Sequence, residues 1–203
     1  MNKKRLEAFS DSVMAVAITL LALDLKVDRI DGVPLHTQLW QQWPSFAAYV
    51  ISFFIIGHVW ISHHALFRRA TGVDRVVLVY NLLLLLFVTA IPFSTATYAD
   101  YAQQGGADAR IAVIAYGVAM TGMSISFTLI LRQLLRAGLF SVQLPSDERR
   151  KLLSKYSIGV LVYPIITLAG LINAPVMLLL YIPVIAYYFG PGARVLGDET
   201  ELG

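Results

Sequence analysis

The sequence predicts an all-α polytopic membrane protein with six transmembrane helices and both termini in the cytoplasm. Three observations carry this prediction. Of 203 residues, 57% are hydrophobic and only 14% charged, whereas soluble domains carry about 25% charged residues. Apolar runs of the length a bilayer needs, about 20 residues, recur at roughly 5–27, 44–67, 76–98, 109–135, 154–173 and 175–195. The cationic residues then alternate between the links. Lys3, Lys4 and Arg5, then Arg68, Arg69 and Arg75, then the six between Arg132 and Lys155, and finally Arg194 fall on one side. Lys26, Arg29 and Arg110 are the three on the other. The positive-inside rule assigns the rich side to the cytoplasm. The net charge of +3 is thereby an orientation signal, and no nucleic-acid partner is expected.

The first span begins charged, Arg5-Leu-Glu-Ala-Phe9-Ser10-Asp11, and becomes apolar from Val13 to Leu23. Glu7 and Asp11 interrupt what would otherwise read as a secretory leader, so the segment is expected to stay in the mature chain. At 3.6 residues per turn, Arg5, Phe9, Ser12, Val16, Thr19, Leu20 and Leu23 share one face. Ala8, Asp11, Ala15, Ile18 and Ala22 share another, mostly of small residues. Small faces let helices approach closely in a bilayer, so Asp11 is expected to point into protein.

The second span ends Trp60-Ile-Ser-His63-His64, and Trp40 and Trp43 lie where it enters the outer interface, as aromatic belts do. The third starts near Val76, carries Asn81, and has Tyr98 and Tyr101 at its outer end. The fourth runs on past Arg132. A polar link, 137–151, follows, in which Pro145-Ser-Asp-Glu148 suits the start of a helix. Asn173-Ala-Pro175 breaks the last two spans apart. Pro92, Pro164 and Pro183 sit inside spans, where proline kinks helices. The chain is read as one six-helix domain, 1–203, with a disordered tail at 197–203. No internal repeat relates its halves.

Asp11, His63, His64, Trp60 and Asn81 all fall within about 5–10 Å of the cytoplasmic edge at 1.5 Å per residue. The eight-residue link 68–75 makes spans two and three neighbours. One hydrogen-bonded cluster is therefore expected, with three readings. It can be packing glue for the first helix. It can be a proton relay, since intramembrane Asp and His often carry protons. It can be a zinc site of His63, His64 and Asp11, although adjacent histidines diverge by about 100° on a helix. His58 lies deeper and reads as a satisfied bundle residue. There is no cysteine, no phosphate-binding loop, no nucleophile elbow and no paired acid motif. No enzyme activity, cofactor or metal is expected.

Arg5-x-x-x-Phe9-Ser10-Asp11 opening the first span, Trp60-x-x-His63-His64 closing the second, and Asn81 ahead of Ile91-Pro92-Phe93 together resemble the transmembrane protein 175 family of potassium channels, in its short prokaryotic form. The resemblance covers the first three spans; the rest match in number. It implies a homotetramer embedded in the lipid bilayer of the cell membrane, with K⁺ as the permeant ion and a pore lined by first helices. Its hydrophobic constriction and nearby hydroxyl ring fall on Val16, Thr19, Leu20 and Leu23, where Val16 is smaller than the Ile or Leu usual in the family. Arg5, Phe9, Ser10 and Asp11, with Trp60, His63, His64 and Asn81, form the packing network. Asp24, Asp28 and Asp31 would make an acidic outer mouth, partly offset by Lys26 and Arg29. No arginine ladder is present, so little voltage dependence is expected. The alternative reading is a proton-coupled secondary transporter using Asp11 and a histidine.

Overall fold

A computed structural model describes residues 2–23, 25, 31–141 and 144–189. It is all-α, with seven helices among the described residues: α1 (Lys3–Leu23), α2 (Leu35–Gln41), α3 (Trp43–Arg69), α4 (Arg75–Tyr101), α5 (Gly106–Arg136), α6 (Ser146–Ile172) and α7 (Ala174–Phe189). Five of them, α1 and α3 to α6, are long and apolar enough to cross a membrane. The 16-residue α7 spans only about 24 Å, and the rest of the expected run to 195 lies outside the described residues. So does the tail, 197–203.

The helices differ from the sequence reading at their ends. α6 starts at Ser146, at the Pro145-Ser-Asp-Glu148 helix start, and so extends eight residues ahead of the apolar run expected from 154. α2 was not expected; Pro34 precedes its first turn. α4, α6 and α7 run through Pro92, Pro164 and Pro183.

Hydrogen bonds between links fix which helix ends lie together. Lys3 Nζ donates to the Ala70 carbonyl at 2.8 Å. The α3–α4 link pairs with the α5–α6 link through Thr71 N to Leu139 O, 2.9 Å, and Ser141 N to Arg69 O, 2.8 Å. The start of α1, the α3–α4 turn and the α5–α6 turn therefore share one end, the arginine end. At the opposite, tryptophan end, the Tyr98 hydroxyl donates to the Ala174 carbonyl, joining α4 to the α6–α7 turn. Neighbouring long helices thus alternate in direction.

α5 is the hub: 61% of its apolar stretch is buried, against 28% in α1 and 22% in α6. It packs on α4 and α6, while α1 lies against α3 and α4. Gly117 of α5 sits so close to α6 that a Cβ there would lie 2.7 Å from Thr167 Cβ. The hub also carries a polar knot that sequence reading missed. Ser52 Oγ of α3 lies 2.8 Å from Thr95 Oγ1 of α4 and 2.9 Å from the Tyr116 hydroxyl of α5. All three side chains are buried. Each hydroxyl finds its partner on another helix, as buried polar groups must.

Candidate functional site: the first helix and its polar anchor

α1 has three faces. Leu6, Ser10, Met14, Ala17 and Leu21 are buried and follow spacings of four, four, three and four, a seam facing α3 and α4. This corrects the expectation that the small face enters the bundle. Ala8, Ala15 and Ala22 are exposed on the subunit, and Asp11 and Ile18 are half-buried. Lipid is as apolar as leucine, so packing and interhelical hydrogen bonds choose the face, and the buried seam is the one that brings Ser10 to Asn81 of α4. The remaining face, Arg5, Phe9, Ser12, Val16, Thr19, Leu20 and Leu23, is exposed along its whole length. Val16 is 55% and Leu23 66% exposed.

The expected polar cluster resolves into two separate groups. In the first, His63 Nε2 lies 2.9 Å from Asn81 Oδ1, Asn81 Nδ2 donates to Ser10 Oγ at 2.9 Å, and Ser10 Oγ donates to the Leu6 carbonyl at 2.9 Å. The amide oxygen of Asn81 can only accept, so His63 carries its proton on Nε2. Ser10, Asn81 and His63 are fully buried. The chain of bonds links α3, α4 and α1 at one depth, and the His63 ring leans on Phe67 with centroids 4.4 Å apart. In the second group, Trp60 Nε1 donates to Asp11 Oδ1 at 3.0 Å. The exposed His64 flanks that indole, with ring centroids 6.5 Å apart.

Asp11 therefore takes its proton donor from an indole, and His63 takes an amide oxygen. Among the described residues, no three His, Asp or Glu side chains are grouped to hold a metal ion. His58 stacks on Tyr188 with centroids 4.0 Å apart and lies 3.3 Å from Ser62 Oγ. These contacts sit within the bundle, as its depth in the second span suggested.

On the exposed face, the Thr19 hydroxyl donates to the Val16 carbonyl at 2.8 Å, and the Ser12 hydroxyl to the Ala8 carbonyl at 2.8 Å. With the proton turned back on the helix, the oxygen lone pairs are left to face whatever lies beyond. Asp31 is exposed; Asp24 and Asp28 lie outside the described residues.

At the arginine end, Asp74 caps α4. Its carboxylate accepts from Val77 N at 2.7 Å and from Gln133 Nε2 of α5 at 2.6 Å. The Val77 amide and, less strongly, the Gln133 amide hold this carboxyl below its ordinary pKa. The sequence offered a signal here, an Asp directly before an apolar helix.

A buried polar relay clamping a helix whose outer face is left bare defines a class of bundle in which that helix is presented to something outside the subunit. Comparison with known proteins gives the class its family. The family described as endosomal/lysosomal potassium channel TMEM175 matches residues 5–92. A potassium channel of Streptomyces collinus is 39% identical over 188 residues, covering 92% of this chain and 90% of that one. A potassium channel of Chamaesiphon minutus is 39% identical over 126 residues, 61% of each. The human endosomal/lysosomal proton channel TMEM175 is 34% identical over 113 residues, 51% of this chain and 22% of that protein. In three dimensions, the crystal structure of a lysosomal potassium-selective channel TMEM175 homolog from Chamaesiphon minutus superposes with a TM-score of 0.79. It is 29% identical, covering 92% of this chain and 95% of the other. The chain belongs to the TMEM175 family.

Proposed function

We propose that this protein is a passive potassium-permeable channel of the cell membrane, assembled as a homotetramer around the exposed face of α1. The observation that carries the reading is the near full-length match, 39% identical, to a bacterial potassium channel. The geometry supports it at the same helix. Val16, Leu20 and Leu23 are large apolar side chains left bare on the subunit. Four copies around an axis form an apolar constriction that admits a partly dehydrated ion or closes by dewetting. The Thr19 ring offers oxygen lone pairs in place of lost water. Val16, smaller than its counterparts in the family, widens that level of the pore and weakens selection there. The alanine face, Ala8, Ala15 and Ala22, suits the close contact of one α1 with the next.

In this reading Ser10 and Asp11 hold the pore helix in register through Asn81, His63 and the Trp60 indole that His64 flanks, while Arg5 and Phe9 of the same motif lie on the exposed face. Asp24, Asp28 and Asp31 concentrate cations at the outer mouth. α7 belongs to a sixth span, and both termini lie in the cytoplasm. Without an arginine ladder, gating depends little on voltage. A proton-coupled transporter would pair Asp11 with a histidine, but Asp11 is bonded to Trp60 instead.

The test is ion flux in liposomes. Wild type should carry K⁺ above the empty-vesicle rate and prefer it to Na⁺ without requiring a second ion. Val16→Asn and Leu23→Asn should each change the K⁺/Na⁺ ratio. Unaltered ratios in both would remove this face from the pore, and flux strictly coupled to protons would replace the channel with the transporter.

A further inference from the structure

A groove of about 660 Å³ runs between α5 and α6 at the arginine end, well away from α1. Its volume is within the roughly 300–1,000 Å³ of small-ligand sites. Arg132 enters it from α5, and Arg149, Arg150, Ser154 and Ser157 from α6. Among the described residues no carboxylate lines it. Arg149 is held in place by a bond from Nη2 to the Leu135 carbonyl, the C-terminal edge of α5, at 3.0 Å. An adjoining groove shares Arg150 and Ser154 and adds Lys151 and Lys155, with Asp147. Orientation alone asks only that cations lie on one side of the membrane. It does not ask that arginines from two helices converge on one cavity with hydroxyls between them.

We propose that this groove binds the phosphodiester headgroup of an anionic phospholipid from the leaflet at that end. Guanidinium groups match phosphate in charge and geometry, the serine hydroxyls add donors, and basic pockets between membrane helices hold anionic headgroups. A free phosphate ion would share that chemistry. What commits the site to a lipid is its far wall. Towards the bilayer centre the groove ends on Leu161, which begins an exposed apolar stripe. Leu161, Ile165 and Leu168 are 63–70% exposed and Ile172 is 91% exposed, at spacings of four, three and four. A headgroup seated on the arginines lays its acyl chain along that stripe. α6 packs on α5 and α7, whereas α1 packs on α3 and α4, so the site sits on the side of the subunit away from the pore face.

The test is native mass spectrometry of the intact assembly in detergent, titrated with dioleoyl-phosphatidylglycerol or dioleoyl-phosphatidylcholine. No flux is read, so the outcome is independent of the pore reading. Wild type should retain phosphatidylglycerol in preference to phosphatidylcholine. Arg132→Gln with Arg150→Gln should lower that retention by about tenfold or more, taking about fivefold per guanidinium. Arg68→Gln, an exposed arginine of α3 at the same end, should leave it within about twofold on the same scale. Ser154→Asp keeps every arginine, places a carboxylate in the groove, and should also lower retention; it serves if the double variant fails to fold. Equal retention by the groove variants and Arg68→Gln would overturn the proposal. So would thermal stabilisation of wild type by millimolar inorganic phosphate matching that by phosphatidylglycerol, which would mark a free-anion site.

Discussion

Asn81 is the residue on which the anchoring of α1 turns. It accepts from His63 and donates to Ser10, and all three are buried. Asn81→Leu would leave His63 Nε2–H without a partner, a loss of about 1–3 kcal/mol for a stranded buried donor. The thermal midpoint of detergent-solubilised protein should fall accordingly, and Ser10→Ala, which strands the buried Asn81 Nδ2–H that Ser10 accepts, should lower it comparably. Asp74 makes a different prediction. Its carboxyl is held below the ordinary range in the folded state, so its stabilising contribution is complete above the unfolded value of about 4. It is lost as pH falls through the lower folded value. Asp74→Ala should lower the midpoint at neutral pH by the loss of an N-cap, about 1 kcal/mol in a small domain. The difference from wild type should shrink as the solution is acidified below about pH 4. A gap that stays constant into acid would show that the cap acts through shape alone.

At the scale of elements, α5 relies on close approach. Gly117→Ala would bring a methyl against Thr167 at a distance no real contact reaches, and α5 or α6 must move. Overpacking of this kind costs about 1–3 kcal/mol. Thermal denaturation should report it, with partial rescue by Thr167→Ala, which removes both the hydroxyl and the methyl that the new Cβ would meet. α1 behaves differently because, among the described residues, its outer face is exposed. Val16→Asn should change ion preference while leaving the unfolding midpoint of the isolated subunit nearly unmoved. A large drop in subunit stability would place Val16 in a packing role that the exposed position does not show.

For the whole molecule, the fraction of each helix that is covered tells where partners are needed. α5 is enclosed within its own chain, while α1 and α6 are mostly bare. On the proposed reading, α1 is covered by three other copies and α6 by lipid. The mass of the detergent-solubilised assembly, corrected for detergent, should therefore be about four times the 22.4 kDa of one chain. Substituting large residues on the alanine face, Ala15→Leu with Ala22→Leu, should shift the population towards smaller species. A wild-type monomer under mild detergent would remove the central axis.

Sequence reading found the long helices and the residues of the relay, for reasons that act locally. Apolar length sets a span, and a polar residue inside one stands out because it is costly there. The Arg5-to-Asp11 motif was legible in the same way. The partners of these residues were not. Asp11 with Trp60, and Ser10 with Asn81 and His63, differ by the rotation of α1 about its axis, which periodicity alone leaves free.

By itself, then, the sequence determined an all-α chain, the places where its long apolar helices run, and which stripe of α1 has large side chains between hydroxyls. Only the tertiary structure decided that Leu6, Met14 and Leu21, rather than the alanines, face the bundle. It also decided that the arginines of α5 and α6 close on one groove. Both depend on which side chains neighbouring helices bring within packing and hydrogen-bonding reach, and no such contact exists until the helices have packed.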